Sequence, residues 1–215
     1  MKKQNKQQQA IVLVHGLWLK TWLFFDWKRY MEEQGYQVYT FGYSTSSRPF
    51  EHNANQLVAF VNSRPEEDVH IIAHSMGSLL SITALPRIRK PGRLVMLGSP
   101  VNGSSVAALI KRLKWDKFLT RHASDILTQG LQNPKLDRAC MMITGDSPMG
   151  LGRFITRLEK PNDGTVSVKE TQADWIDQHQ VIHTSHMGIL KNRQAQQLAL
   201  NFLLEYQPQD RTDHE

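Results

Sequence analysis

The stretch HIIAHSMGSLL, His70 to Leu80, carries a serine with small residues two before it and two after it, Ala73 and Gly77. An apolar run precedes the serine and another follows. Such a pattern fits a strand that turns sharply into a helix and holds a serine hydroxyl above the carboxyl edge of a sheet. A serine hydroxyl is a weak nucleophile at neutral pH. It needs a base to take its proton, an acid to orient the base, and backbone N–H groups to receive an oxyanion. The plainer reading of Ser75 is a helix N-cap, and the stretch alone leaves both readings open. Glycine is usual two residues before such a serine, for steric reasons. Ala73 exceeds it by one methyl.

The remaining parts are sought in the chain order oxyanion loop, serine, acid, base. An early apolar run ends in VHGLW, Val14 to Trp18. Gly16 lets the backbone turn there, so the N–H of Leu17 and that of Met76, the residue after Ser75, are the expected oxyanion donors. His15 is expected to tune this loop without transferring protons. The acid has two candidates. Asp146 follows the run CMMITG, and Asp163 lies in PNDGTVSV, where Asn-Asp-Gly dictates a tight turn. Asp163 is favoured, because a tight turn can aim a carboxylate at an imidazole; a plain turn-forming role is open to both. The base has three nearby candidates, His179, His183 and His186. His186 is favoured, since it lies in the loop TSHMGIL just before the last helical segment. Leu17, Trp18, Met76 and Met187 flank these positions and are apolar, so they are candidates for an acyl pocket; core packing is the alternative for each. Trp18 and Met187 are the substrate contacts expected first. His70 and His74 are four apart on a strand, too far apart to chelate a metal easily. No metal and no cofactor is expected.

The elements that must position these residues alternate. Apolar, strand-like runs start at Ala10, Tyr36, Asp68, Arg93, Ala139 and His179. They are nearly continuous in apolar residues, as strands of a parallel sheet covered on both faces are. Between them lie helical stripes. Leu23, Trp27, Tyr30 and Met31 form one, Ala54 to Val61 a second, Met76 to Thr83 a third, Trp115 to Ile126 a fourth and Ala195 to Leu203 the last. This βαβα order predicts a three-layer α/β fold, an open, mostly parallel sheet of about six strands with helices on both faces. Residues 10–205 read as one domain, between a disordered basic tail (1–9) and a polar tail (206–215). Residues 98–139 and 146–174 are less regular. Both begin at strand ends, where ligands bind in such sheets, and Trp115 and Phe118 are candidates for a flap.

Composition narrows the partners. The 215 residues are 40% hydrophobic, enough for a substantial core without disulfide staples. The single cysteine, Cys140, excludes an intrachain disulfide, reads as a buried inert thiol, and points to a reducing, cytoplasmic location. MKKQNKQQQ followed by a short apolar run lacks a cleavage site and is not read as a signal peptide. The net charge of +6 gathers partly in KRLKWDKFLTR, Lys111 to Arg121. That segment reads first as a solvated face. A peripheral contact with lipid is the sharper alternative, and no nucleic-acid motif accompanies it. The oligomeric state is not legible.

With these motifs in hand, the chain resembles the α/β-hydrolases, and within them the bacterial lipases and lipase-like esterases. VHGLW, AHSMGS, LGSPVNGS, NDGTVS and SHMGIL carry the likeness, which spans roughly residues 10 to 204. Alanine in AHSMG occurs in small lipases that lack a lid. The resemblance implies cleavage of a carboxylic ester, small-molecule or lipid, through an acyl-enzyme. Ser75 is then the nucleophile, His186 the base and Asp163 its orienting acid. Ser78 departs from the pattern, which commonly has a second glycine there. Acyl transfer, thioester or amide hydrolysis use the same three residues, and a non-catalytic binding role is a further reading.

Overall fold

The computed structural model describes residues 9–45, 47–116, 121–131, 133–149 and 158–207. Six strands form one sheet: β1 (Gln9–Val14), β2 (Gln37–Phe41), β3 (Asp68–His74), β4 (Leu94–Leu97), β5 (Cys140–Gly145) and β6 (Gln178–Ile182). Their order is β2-β1-β3-β4-β5-β6, and every neighbouring pair is parallel. Parallel neighbours need crossover connections. Helices supply most of them: α1 (Phe25–Glu33), α2 (Phe50–Asn62), α3 (Met76–Ala84), α4 (Ser105–Arg112) and α5 (Ser124–Gln129); α6 (Arg193–Leu204) follows the last strand.

Alternation within the central strand β1 divides the core. Val12 and Val14 face one layer with Ala54, Leu57, Leu79 and Leu80, from α2 and α3. Ile11 and Leu13 face the other with Trp27, Tyr30, Ala199 and Phe202, from α1 and α6. All four β1 residues are at most 1% exposed, which is why the strand reads as one apolar run.

Of the helical stripe expected from Trp115 to Ile126, residues 117–120 lie outside the described ones. Helix α4 closes at Arg112, upstream of that stripe, and α5 covers only its end. Ser104 caps α4 by accepting the Ala107 N–H. Trp115 is exposed, whereas Lys117 and Phe118 lie outside the described residues. Lys111 is held by Asp125 at 2.7 Å. The predicted tails likewise lie outside the described residues, apart from Gln9, Tyr206 and Gln207. Gln9 opens β1, and buried Tyr206 donates its hydroxyl to Asp68 at 3.1 Å. Cys140 is buried, and burial pushes its thiol up to about 12. Among the described residues no helix is long and apolar enough to cross a membrane.

Candidate active site

Ser75 stands between the end of β3 and the first residue of α3, with φ +54° and ψ −125°. A non-glycine residue held there costs on the order of 1–3 kcal/mol and persists only where its surroundings enforce it. Those surroundings are visible. The Ser75 N–H donates to Leu97 O at 2.9 Å, and Ser75 O receives the Ser78 N–H at 3.0 Å. Gly77 is required by close approach: a Cβ there would fall 2.5 Å from His15 O and 2.6 Å from Val14 O. Helix α3 therefore starts against the end of β1.

Two features explain why Ala73 and Ser78 fit. Ala73 is fully buried and pairs in register with Val14 and Met96, so its methyl is part of the core. The Ser78 hydroxyl donates to Ala73 O at 2.9 Å, and Ser99 Oγ lies within bonding distance of both Ser78 Oγ and Ser75 O. A hydroxyl at position 78 thus ties the strand to the helix across the turn, where a glycine would leave this bond unmade.

Asp163 and His186 meet at 2.7 Å, Oδ2 to Nδ1, with side chains only 1% and 9% exposed. The other carboxylate oxygen accepts the N–H groups of Thr165 and Val166 at 2.9 and 2.7 Å. The Asn-Asp-Gly turn, completed by Gly164 at φ +89°, thereby orients the carboxylate before it meets the ring. A backbone bond from His186 N to Asp163 O, 2.9 Å, joins the two loops again. A carboxylate oxygen against Nδ1 is best met by an N–H, and in the neutral ring with its proton on Nδ1 the other nitrogen, Nε2, is an acceptor.

Two residues outside the expected set link the His186 loop to the strand ends that hold Ser75. His74, immediately before Ser75, donates from Nε2 to His186 O at 3.0 Å, and the two rings lie 4.7 Å apart. Burial holds His74 neutral by lowering its pKa to about 3, with the neighbouring His186 a smaller cause. Gly98 follows Leu97, which holds Ser75. A Cβ on Gly98 would meet Asp163 Oδ2 at 3.1 Å and His186 Nδ1 at 3.2 Å, at φ +57°. On the far side, Trp27 of α1 donates its indole N–H to Ile189 O at 3.3 Å and anchors the helical turn after His186. His74 stood in the sequence only as a weak metal candidate. The glycine of LGS was its one sign that something approaches the end of β4 closely.

The rival acid and base pair with each other elsewhere. His183 Nδ1 lies 2.8 Å from Asp146 Oδ1, with the imidazole 85% exposed. His179 is engaged by Thr171 at 2.9 Å.

The turn after β1, where the oxyanion donors were expected, packs on Ser75. A Cβ on Gly16 would sit 3.1 Å from Ser75 Cβ, so the backbone leading to Leu17 packs directly on the serine. The next N–H, that of Trp18, is taken by Thr45 Oγ1 at 3.2 Å. Met76 is the first residue of α3, and a first-turn N–H has no intrahelical acceptor. His15 is locked by its bond to Gly16 O, 2.9 Å, and by stacking on Tyr43 at 4.5 Å; burial lowers its pKa. Trp18 and Met187 are 53% and 44% exposed, open to a ligand. The Met76 side chain is not: at 1% exposed it packs in the core with Val14 and Leu79, which removes it from the acyl-pocket candidates. Among the described residues no three His, Cys, Asp or Glu side chains group as a metal site.

Comparison with known proteins agrees with this architecture. The mature form of the Bacillus licheniformis lipase BlEst2 superposes with a TM-score of 0.75 at 20% identity, over 90% of this chain and 91% of that one. The chain spans 52% of the propeptide form of that lipase. A Pyrococcus furiosus esterase superposes with a TM-score of 0.66 at 16% identity, over 92% and 81% of the two chains. At such identities the likeness establishes the fold. No curated protein matches the chain. The sequence matches the alpha/beta hydrolase family over residues 11–197, nearly its whole length, and the chain belongs to that family.

Proposed function

We propose that the protein is a serine hydrolase that cleaves carboxylic esters through an acyl-enzyme. The observation that carries this is the buried Asp163–His186 pair, tied through His74 to the strained turn that carries Ser75 and packed on Gly98. Ser75 Oγ attacks the ester carbonyl while His186 Nε2 takes its proton. Asp163 keeps the other ring proton on Nδ1 and stabilises the imidazolium. The oxyanion is received by the N–H groups of Leu17 and Met76, at a helix N-terminus whose dipole favours negative charge. Collapse expels the alcohol, which leaves with the proton from His186. Water then attacks the acyl-enzyme by the same route and frees the acid and Ser75. The pre-set backbone at Ser75, Gly16 and Gly77 supports this reading, because donors fixed before the reaction need no reorganisation during it.

A p-nitrophenyl ester series of rising acyl length, run on wild type and Ser75→Ala, tests it. Turnover in the wild type should vanish in the variant, and so should labelling by a fluorophosphonate. Activity persisting in Ser75→Ala would refute the nucleophile.

A further inference from the structure

A solvent-open groove of about 510 Å³ lies beside the oxyanion turn, a volume typical of small-molecule sites. Its wall includes His15, Tyr43, Ser44 and Gln56, and two cations, Lys20 and Arg48; no carboxylate lines it. Neither cation forms an ion pair among the described residues. His15 adds no charge, because burial lowers its pKa and Lys20 lowers it further. Helix α2 begins two residues after Arg48 with no side-chain cap, so its uncapped N–H groups and positive dipole end lie close to the cation.

We infer that this groove is a subsite for an anionic group, a carboxylate or a phosphate, carried by the ester substrate. The inference rests on the ester-hydrolase reading and names the substrate class for that site. The strand order places the groove. Ser75 follows β3, His15 follows β1, and Gly42 to Ser44 follow β2. Neighbouring strands are ~4.8 Å apart, so the strand ends that carry His15 and Gly42 to Ser44 lie roughly 5 and 10 Å from the one that carries Ser75. An anion held in the part of the groove nearest His15 is thus a short chain away from a carbonyl at Ser75. The hydroxyls of Thr21 and Ser44 and the Gln56 amide are neutral donors suited to the remaining oxygen lone pairs.

The test compares matched esters on wild type, Lys20→Gln, Arg48→Gln and the double variant. One arm puts the charge on the acyl side: p-nitrophenyl monoesters of glutaric and suberic acid against p-nitrophenyl valerate and octanoate. The other puts it on the alcohol side: 1-butyrylglycerol 3-phosphate against 1-butyrylglycerol. The readout is the ratio of kcat/KM for the anionic ester to that for its neutral partner. In one arm this ratio should fall about tenfold or more for each lost charge, as charge-assisted hydrogen bonds do. In the wild type it should also fall between 20 and 200 mM salt. The arm that responds tells which half of the ester carries the anion. A ratio within threefold of wild type in the double variant, in both arms, overturns the subsite. If the wild type cleaves no ester, the ester reading has failed on its own. Calorimetry with glutarate and with glycerol 3-phosphate then decides the groove: loss of binding in the double variant supports it, and no binding to wild type overturns it.

Discussion

Replacing Asp163 by Asn keeps the shape of the acid and changes one atom's hydrogen-bonding sense. Two orientations of the new amide are open. With its oxygen in the Oδ1 position, it still accepts the Thr165 and Val166 N–H groups, at 2.9 and 2.7 Å in the native protein. With its nitrogen there, two donors face a donor, and two buried N–H groups lose their acceptor at about 1–3 kcal/mol each. The first orientation wins. It puts an N–H₂ group against His186 Nδ1, where the carboxylate oxygen stood at 2.7 Å. The imidazole must then carry its proton on Nε2, the atom that has to accept from Ser75. Loss of the correct tautomer lowers kcat by about 10⁴-fold in serine enzymes of this geometry, or about 5.4 kcal/mol of transition-state stabilisation. The assay is kcat and KM on p-nitrophenyl butyrate, with thermal unfolding to show that the variant is folded. Asp146→Asn is the matched control. It removes only an exposed pair worth about 0–1 kcal/mol, so kcat should stay within about twofold of wild type. If Asp163→Asn keeps kcat within tenfold of wild type, or if only Asp146→Asn abolishes turnover, the assignment of the acid is wrong.

Gly98→Ala should lower kcat much more than it raises KM, because its methyl enters 3.1–3.2 Å from both members of the Asp163–His186 bond at a positive φ; unchanged kcat would show that this contact does not matter. Acid should destabilise the fold before it denatures it outright. Burial lowers the pKa values of His70 and His74 to about 3, with Arg138 and Arg93 adding to the effect on His70. Between about pH 3 and 6.5 the unfolded chain binds protons that the folded chain refuses, so stability falls as pH drops below the unfolded value. At pH 5.5 the loss is roughly 1 kcal/mol for each histidine. Urea unfolding at pH 7.5 and 5.5 should differ by about 2–3 kcal/mol, and equal midpoints would refute the buried neutral state.

Much of the architecture is written locally. β1 and β3 are buried on both faces, so they read as unbroken apolar runs, and the crossover helices show the one-sided stripes of elements packed on a sheet. The exposure of Trp115 was not legible, because apolar character says nothing of direction. The candidate nucleophile and the turn at Gly16 were legible for a steric reason: only small residues let strand and helix pass so closely. The candidate acid and base were legible only as ranked alternatives, since carboxylates and imidazoles occur at several strand ends.

The sequence by itself therefore determined the order of the elements, the sharp turn at Ser75 and a short roster of partners. These depend on the periodicity and size of neighbouring side chains. Tertiary structure alone decided that Asp163 meets His186 in the interior while Asp146 meets His183 in water, and that His74, Gly98 and Ser78 hold the parts in register. It alone brought Lys20 and Arg48, twenty-eight residues apart, to one groove. A hydrogen bond or a charged cleft is a property of distance in space, and chain separation does not encode it.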